Sequence, residues 1–152
     1  MALPAHLELQ IVTPDRMIVQ ERVDEVQIPG VEGYFGVLPG HTPLLASLTV
    51  GELWYRKGQE KTYLAIALGF AEVLPERVTI LARLAERAED VDTARAEAAR
   101  KRADERLNHR AAGVDTDRAR VALIKALTRL QVSGRSTGSM RDPRRSREAV
   151  RG

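Results

Sequence analysis

Residues 28–51 read IPGVEGYFGVLPGHTPLLASLTVG, with glycines at 30, 33, 36, 40 and 51 and prolines at 29, 39 and 43 set among apolar residues. Glycine reaches backbone angles that strain other residues, and proline removes a ladder donor. So many of both between short apolar runs predicts tight turns and strand corners, where sheets meet or another backbone approaches closely. The stretch is not a nucleotide loop. A P-loop needs Lys and then Ser or Thr directly after its last glycine, whereas Gly40 leads into His41, Thr42 and Pro43. A dinucleotide fingerprint is excluded as well, because Gly33 and Gly36 have the wrong spacing and run into Val37, Leu38 and Pro39 rather than a helix.

Outward from this stretch the pattern has period two from Leu7 to Ala82. Leu7, Leu9 and Ile11 alternate with Glu8 and Gln10; Val26 and Ile28 alternate with Glu25 and Gln27; Val78 and Ile80 flank Thr79. Turn residues punctuate the runs at Pro14-Asp15, Pro29-Gly30, Pro39-Gly40, Lys57-Gly58, Gly69 and Pro75-Glu76. Short strands at this spacing predict an all-β sandwich or barrel over residues 1–85.

Past Ala82 the period changes. Residues 83–132 hold one glycine, Gly113, and no proline, and predict a two-helix antiparallel hairpin over 86–132. Asp90 or Asp92 opens the first helix, with acidic residues early and Arg100, Lys101, Arg102 and Arg106 late, the order the helix dipole favours. Residues 108–113 form the turn, closed by Gly113, and Asp115 caps the second helix. The second helix carries an apolar stripe of Ala119, Ala122, Leu123, Ala126, Leu127 and Leu130. The first helix offers mostly alanine (94, 96, 98, 99 and 103). A buried leucine contributes roughly 1.5–3 kcal/mol and an alanine a fraction of that, so the arm is expected to hold its neighbours weakly and to suit a part that changes partner.

Residues 133–152, SGRSTGSMRDPRRSREAVRG, are poor in apolar residues and predict a basic disordered tail. The chain's formal charge of +3 is uneven: the first 85 residues are net acidic, and the last 20 carry six arginines against Asp142 and Glu148. No aromatic is interleaved in this tail for stacking on bases, so no nucleic-acid partner is expected. There is no cysteine, which excludes disulfides, thiolate metal sites and thiol nucleophiles. The start lacks the pattern of a signal peptide, and no apolar run approaches the roughly 20 residues needed to span a bilayer. The expectation is a soluble protein without direct membrane insertion, whose membrane association comes through a partner.

Chemistry is sparse. His6, His41 and His109 fall in three different settings with no metal-ligand spacing and no neighbouring nucleophile, so neither a metal site nor a catalytic residue is expected. His41 sits in a rigid corner and is expected to hydrogen-bond its own loop. One arrangement could hold an anion. Glu86, Asp92, Arg95, Arg102 and Lys125 or Arg129 are expected on the facing helices, with Arg95 and Arg102 seven apart on one face. Arginines so placed can grip phosphate through charge-assisted hydrogen bonds; a plain salt-bridged hairpin satisfies the same spacing.

The chain resembles the epsilon subunit of F-type ATP synthases from Leu7 to about Val132. The resemblance rests on EGYFGVLPGHTPL at residues 32–44, GFAEV at 69–73, VTILA at 78–82, and the order of sandwich then helical hairpin. It implies a non-catalytic subunit of the rotating central stalk, a peripheral protein on the cytoplasmic face of the bacterial plasma membrane. Its sandwich would meet the gamma subunit and the c-ring, with Glu32, Gly33, Tyr34, Gly40 and His41 in the region facing the ring. Tyr34 stands where some relatives are acidic. The hairpin of such proteins folds on the sandwich or extends along gamma toward the alpha and beta subunits, where it restrains ATP hydrolysis. Some bacterial relatives bind ATP in the folded hairpin through an Ile/Leu-Asp-x-x-Arg-Ala motif. Here the motif is VDTARA at residues 91–96, and Glu86, Asp92, Arg95, Ala96, Arg102 and Arg129 match the ligand-binding pattern. Lys125 stands where those relatives carry arginine, keeping the charge without the planar fork. No cofactor is required, and ATP would be a regulatory ligand. Two readings compete with the rotor subunit: a free-standing ATP-sensing module built on the hairpin, and a basic nucleic-acid-binding protein.

Overall fold

Leu7, Leu9 and Ile11 turn to one side of the first strand and are fully buried, while Glu8 between them is exposed. In the computed structural model, which describes residues 2–109 and 115–139, this alternation recurs through eight strands. They are β1 (Leu7–Val12), β2 (Met17–Val23), β3 (Glu25–Gly30), β4 (Gly33–Val37), β5 (Leu44–Leu48), β6 (Gly51–Lys57), β7 (Glu60–Val73) and β8 (Arg77–Arg87). A 3-10 turn (Ala88–Asp90) leads to α1 (Thr93–Asn108) and α2 (Thr116–Ser139). The architecture is a β-sandwich followed by a helical hairpin.

Hydrogen-bonded neighbours run β2-β1-β8-β7-β5-β3-β4, with β6 pairing both β3 and β7. β1 and β8 lie parallel and every other pair is antiparallel. The long strand β7 folds the sheet over. Its first half pairs β6, from Lys57↔Glu60 to Gly51↔Ile66, and its second half pairs β5, from Leu48↔Gly69 to Leu44↔Val73. The bend falls at Leu68 and Gly69, both with positive φ (56° and 148°). A side chain at Gly69 has no room, because its β-carbon would lie 1.8 Å from the Leu81 carbonyl oxygen. The core between the layers is built from Leu7, Ile11, Val26, Ile28, Leu53, Leu64, Ile66, Ile80 and their neighbours.

β8 runs on to Arg87, past the expected boundary at 85, so Glu86 sits on a strand rather than a facing helix. The segment Leu84-Ala85-Glu86-Arg87 is made of residues with good helix propensity, but register with β7 (Ala65↔Glu86, Leu64↔Arg87) decides its conformation.

Asp92 caps α1 by accepting a hydrogen bond from the Arg95 amide at 3.0 Å, and Asp115 caps α2 through the Arg118 amide at 3.1 Å. Ala96 and Ala103 of α1 are buried, as are Ala119 and Ala126 of α2; small residues let the two helices approach closely. Leu127 of the expected stripe is instead 47% exposed, beside exposed Val121 and Ile124. Of the expected turn, residues 110–113 lie outside the described residues.

α2 does not stop at Val132. It continues to Ser139, so the expectation of a disordered tail from Ser133 is corrected for residues 133–139. The cause is tertiary. Val132 is fully buried and Arg135 reaches the sheet, so the first turns of the polar segment gain partners that composition alone does not reveal. Residues 140–152 lie outside the described residues.

Candidate functional site at the sandwich–helix junction

The outer face of the sheet under α2 is set by register. Glu52 on β6 pairs with Ala65 on β7, and Ala65 pairs with Glu86 on β8. Directly opposed residues project to the same face, so two carboxylates flank a small alanine platform. Over it lies α2. Val132 packs at Ala65 and Ala88 beside Tyr63. The Arg129 Nε donates to the Glu86 Oε2 at 2.8 Å, a pair with both side chains three-quarters buried or more. The Arg135 Nε and Nη2 donate to the two Glu52 oxygens, each at 3.2 Å, a bidentate fork. The Arg135 guanidinium also stands 5.0 Å from the Tyr63 ring centroid. Glu52 holds the guanidinium firmly protonated, raising its pKa.

Glu52 is the one charged residue that is buried among the described residues, and sequence reading missed it together with Arg135 and Tyr63. A carboxylate next to Gly51 in an otherwise buried strand start was one signal. Arginines three residues to either side of Val132 were another, since 129, 132 and 135 share one stripe of a helix.

Of the residues expected to hold ATP, the structure brings Glu86 and Arg129 into contact. Asp92 caps α1 through its Oδ1, and Ala96 is buried in the hairpin interface. Arg95 and Arg102 are exposed on α1, and Lys125 is half-buried; none of the three makes an ion pair among the described residues. Arg95, Arg102 and Lys125 thus carry charge that no ion pair among the described residues offsets.

The residues expected to face the ring divide between the two ends of β4. Glu32, Gly33 and Tyr34 line a groove of about 480 Å³ with exposed Leu44 and Leu45. The Tyr34 hydroxyl accepts a hydrogen bond from the Glu52 amide at 3.3 Å. Gly40 and His41 lie beyond the other end, where the Gly40 amide donates to the Pro75 carbonyl at 2.7 Å. His41 Nδ1 contacts the Thr42 carbonyl at 2.7 Å, within its own loop. A second groove, of about 430 Å³, opens on the outer face of β7 and β8 around Leu68, Phe70 and Leu81. Phe70 and Leu81 are direct cross-strand partners, each more than half exposed. No group of three or more His, Asp or Glu side chains that could hold a metal occurs among the described residues, and no described helix is long and apolar enough to cross a membrane.

Residues 6–88 match the family model for the β-sandwich domain of the ATP synthase delta/epsilon chain, and residues 89–134 match that for its long α-helix domain. The chain is 55% identical over 100 residues to the ATP synthase epsilon chain of Koribacter versatilis, covering 66% of this chain and 70% of that one. It is 49% identical over 127 residues to that of Syntrophobacter fumaroxidans, covering 84% and 95%. A chain in the structure of Euglena gracilis mitochondrial ATP synthase, described as OSCP/F1/c-ring in rotational state 1, superposes with a TM-score of 0.75 at 27% identity, over 88% of this chain and 84% of that one. The chain in hand thus belongs to the epsilon-chain family of the F-type ATP synthases.

Proposed function

We propose that the chain is a non-catalytic rotor subunit of a proton-translocating ATP synthase, coupling c-ring rotation to the catalytic head through gamma and restraining ATP hydrolysis with its C-terminal helices. In this reading it is held at the cytoplasmic face of the bacterial plasma membrane by its partners. One observation carries it. The sandwich has its own closed core, while the arm rests on it through a narrow junction centred on Val132 and leaves Val121, Ile124 and Leu127 uncovered. An exposed apolar stripe on a lightly held helix is suited to a second partner, here gamma and the alpha and beta subunits.

The apolar row of Phe70 and Leu81 is the face offered to gamma, and the groove of Glu32, Gly33 and Tyr34 the face offered to the polar loops of the ring. ATP, gripped by Arg95 and Arg102 with Lys125 and Arg129, would favour the folded arm.

The experiment is hydrolysis by the assembled complex with and without residues from Ala88 onward. A rise in rate on deletion supports the restraint. An unchanged rate overturns it and leaves only coupling, and failure of the full chain to co-purify with gamma removes both in favour of a free-standing ATP-sensing module.

A further inference from the structure

We infer that Glu52 and Arg135, with the Tyr63 ring, form a latch that sets the docked register of the helical arm on the sandwich. The inference rests on the reading of the helices as a mobile arm. Glu52, Ala65 and Glu86 stand abreast on three neighbouring strands. Opposed residues on antiparallel strands are about 4.5–5.5 Å apart, so the row spans roughly 9–11 Å. On α2, Arg135, Val132 and Arg129 contact those three positions in order. Six residues of helix rise about 9 Å. The spacing of the arginines therefore matches the spacing of the carboxylates, with one apolar contact between them.

Shifting the helix by a single residue would misplace both charges at once. Val132 alone, resting on alanines, would not resist such a slip, because apolar contact is non-directional. Direction comes from the charge pairs. Glu52 is the better anchor for it: the residue is buried, its backbone amide is tied to the Tyr34 hydroxyl, and its carboxylate receives a bidentate fork. Arg135 lies in the same helix as Arg129 and Val132, one residue past the segment matched by the helix-domain family model.

Spin labels on Gln59→Cys at the β6–β7 turn and Gln131→Cys on α2 report the distance between sandwich and arm in the full chain, which has no cysteine of its own. Arg135→Gln and Glu52→Gln are each expected to raise the undocked population about five-fold. The double variant should go no further, because the two side chains act as a pair. Arg135→Lys, which keeps charge but loses the fork, should fall between. If Arg135→Gln leaves the distances unchanged while Glu86→Gln, Val132→Ala and Arg135→Gln combined release the arm, the latch is wrong and the mobile arm stands. If the combined variant also stays docked, the mobile arm falls with it. Additive effects of Arg135→Gln and Glu52→Gln would likewise overturn the pairing.

Discussion

A β-carbon on Gly69 would lie 1.8 Å from the carbonyl oxygen of Leu81, on the neighbouring strand. The residue's φ of 148° adds a conformation that L side chains rarely adopt. Neither strand can move aside without opening the β7–β8 ladder that joins the two layers of the sandwich. Gly69→Ala is therefore expected to destabilise the chain by about 3 kcal/mol or more, read as a lowered midpoint in urea. A midpoint within error of the parent would show that β7 does not bend in this way.

The Glu86–Arg129 pair bridges a strand and a helix with both side chains mostly out of water. Removing one partner leaves the other partly buried and uncompensated, whereas removing both does not. Glu86→Ala is expected to weaken docking of α2 by about 1–3 kcal/mol, seen as faster hydrogen exchange of α2 amides with little change in the core strands. The double change with Arg129→Leu should recover much of the loss. Slower exchange in the single variant would contradict the pairing.

Much of this architecture is legible in the chain because it rests on local periodicity. The alternation of Leu7, Leu9 and Ile11, the turn at Pro14-Asp15, and the capping aspartates 92 and 115 each act within a few residues of themselves. What escapes is decided by distant partners. Glu86 has helical neighbours in sequence but a strand partner in Ala65, and Arg135 belongs to a polar segment that is ordered by Glu52, 83 residues away. The family motifs identify Glu86 and Arg129 as a set, but not that they face each other across the sheet edge. The left-handed Leu68 has no signal, since leucine there is unfavourable and only the fold imposes it.

Asp24 ties three segments together. It accepts the Gly58 amide at 2.7 Å, contacts His6 Nδ1 at 3.0 Å, and lies 3.7 Å from Arg56. The Gly58 hydrogen bond and then His6 hold its carboxyl below the usual range. A depressed carboxyl contributes stability above its unfolded pKa, about 3.9, and loses it as pH falls through the lower folded value. Asp24→Asn should therefore lower the urea midpoint near neutral pH, and the gap from the parent should close progressively below about pH 3.9. A gap that persists at lower pH would rule out the charged carboxylate as its source.

Phe70 and Leu81 are cross-strand neighbours whose side chains face solvent in the isolated chain. Phe70→Glu costs little in the folded subunit because the position is already exposed, but it would bury a charge in any apolar interface. Expected is an unchanged thermal midpoint together with loss of co-purification with gamma. Retained co-purification would overturn the proposal that this face meets gamma.

On the proposal that the arm binds ATP, affinity turns on which cations are available. Glu86 occupies Arg129 at 2.8 Å, while Arg95 and Arg102 lie exposed on α1 with no ion pair among the described residues. Phosphates would therefore be gripped first by the α1 arginines and would have to compete with Glu86 for Arg129. One feature would weaken such a site: Lys125 offers a point charge rather than a fork. Calorimetry with MgATP should give weak binding in the parent. A charge-assisted hydrogen bond is worth roughly 1.5–3 kcal/mol, so Arg95→Ala should bind at least about ten-fold more weakly. Glu86→Gln, by freeing Arg129, should bind more tightly than the parent if that arginine reaches the phosphates. No heat from the parent, or equal heat from Arg95→Ala, would remove ATP as a ligand of the arm.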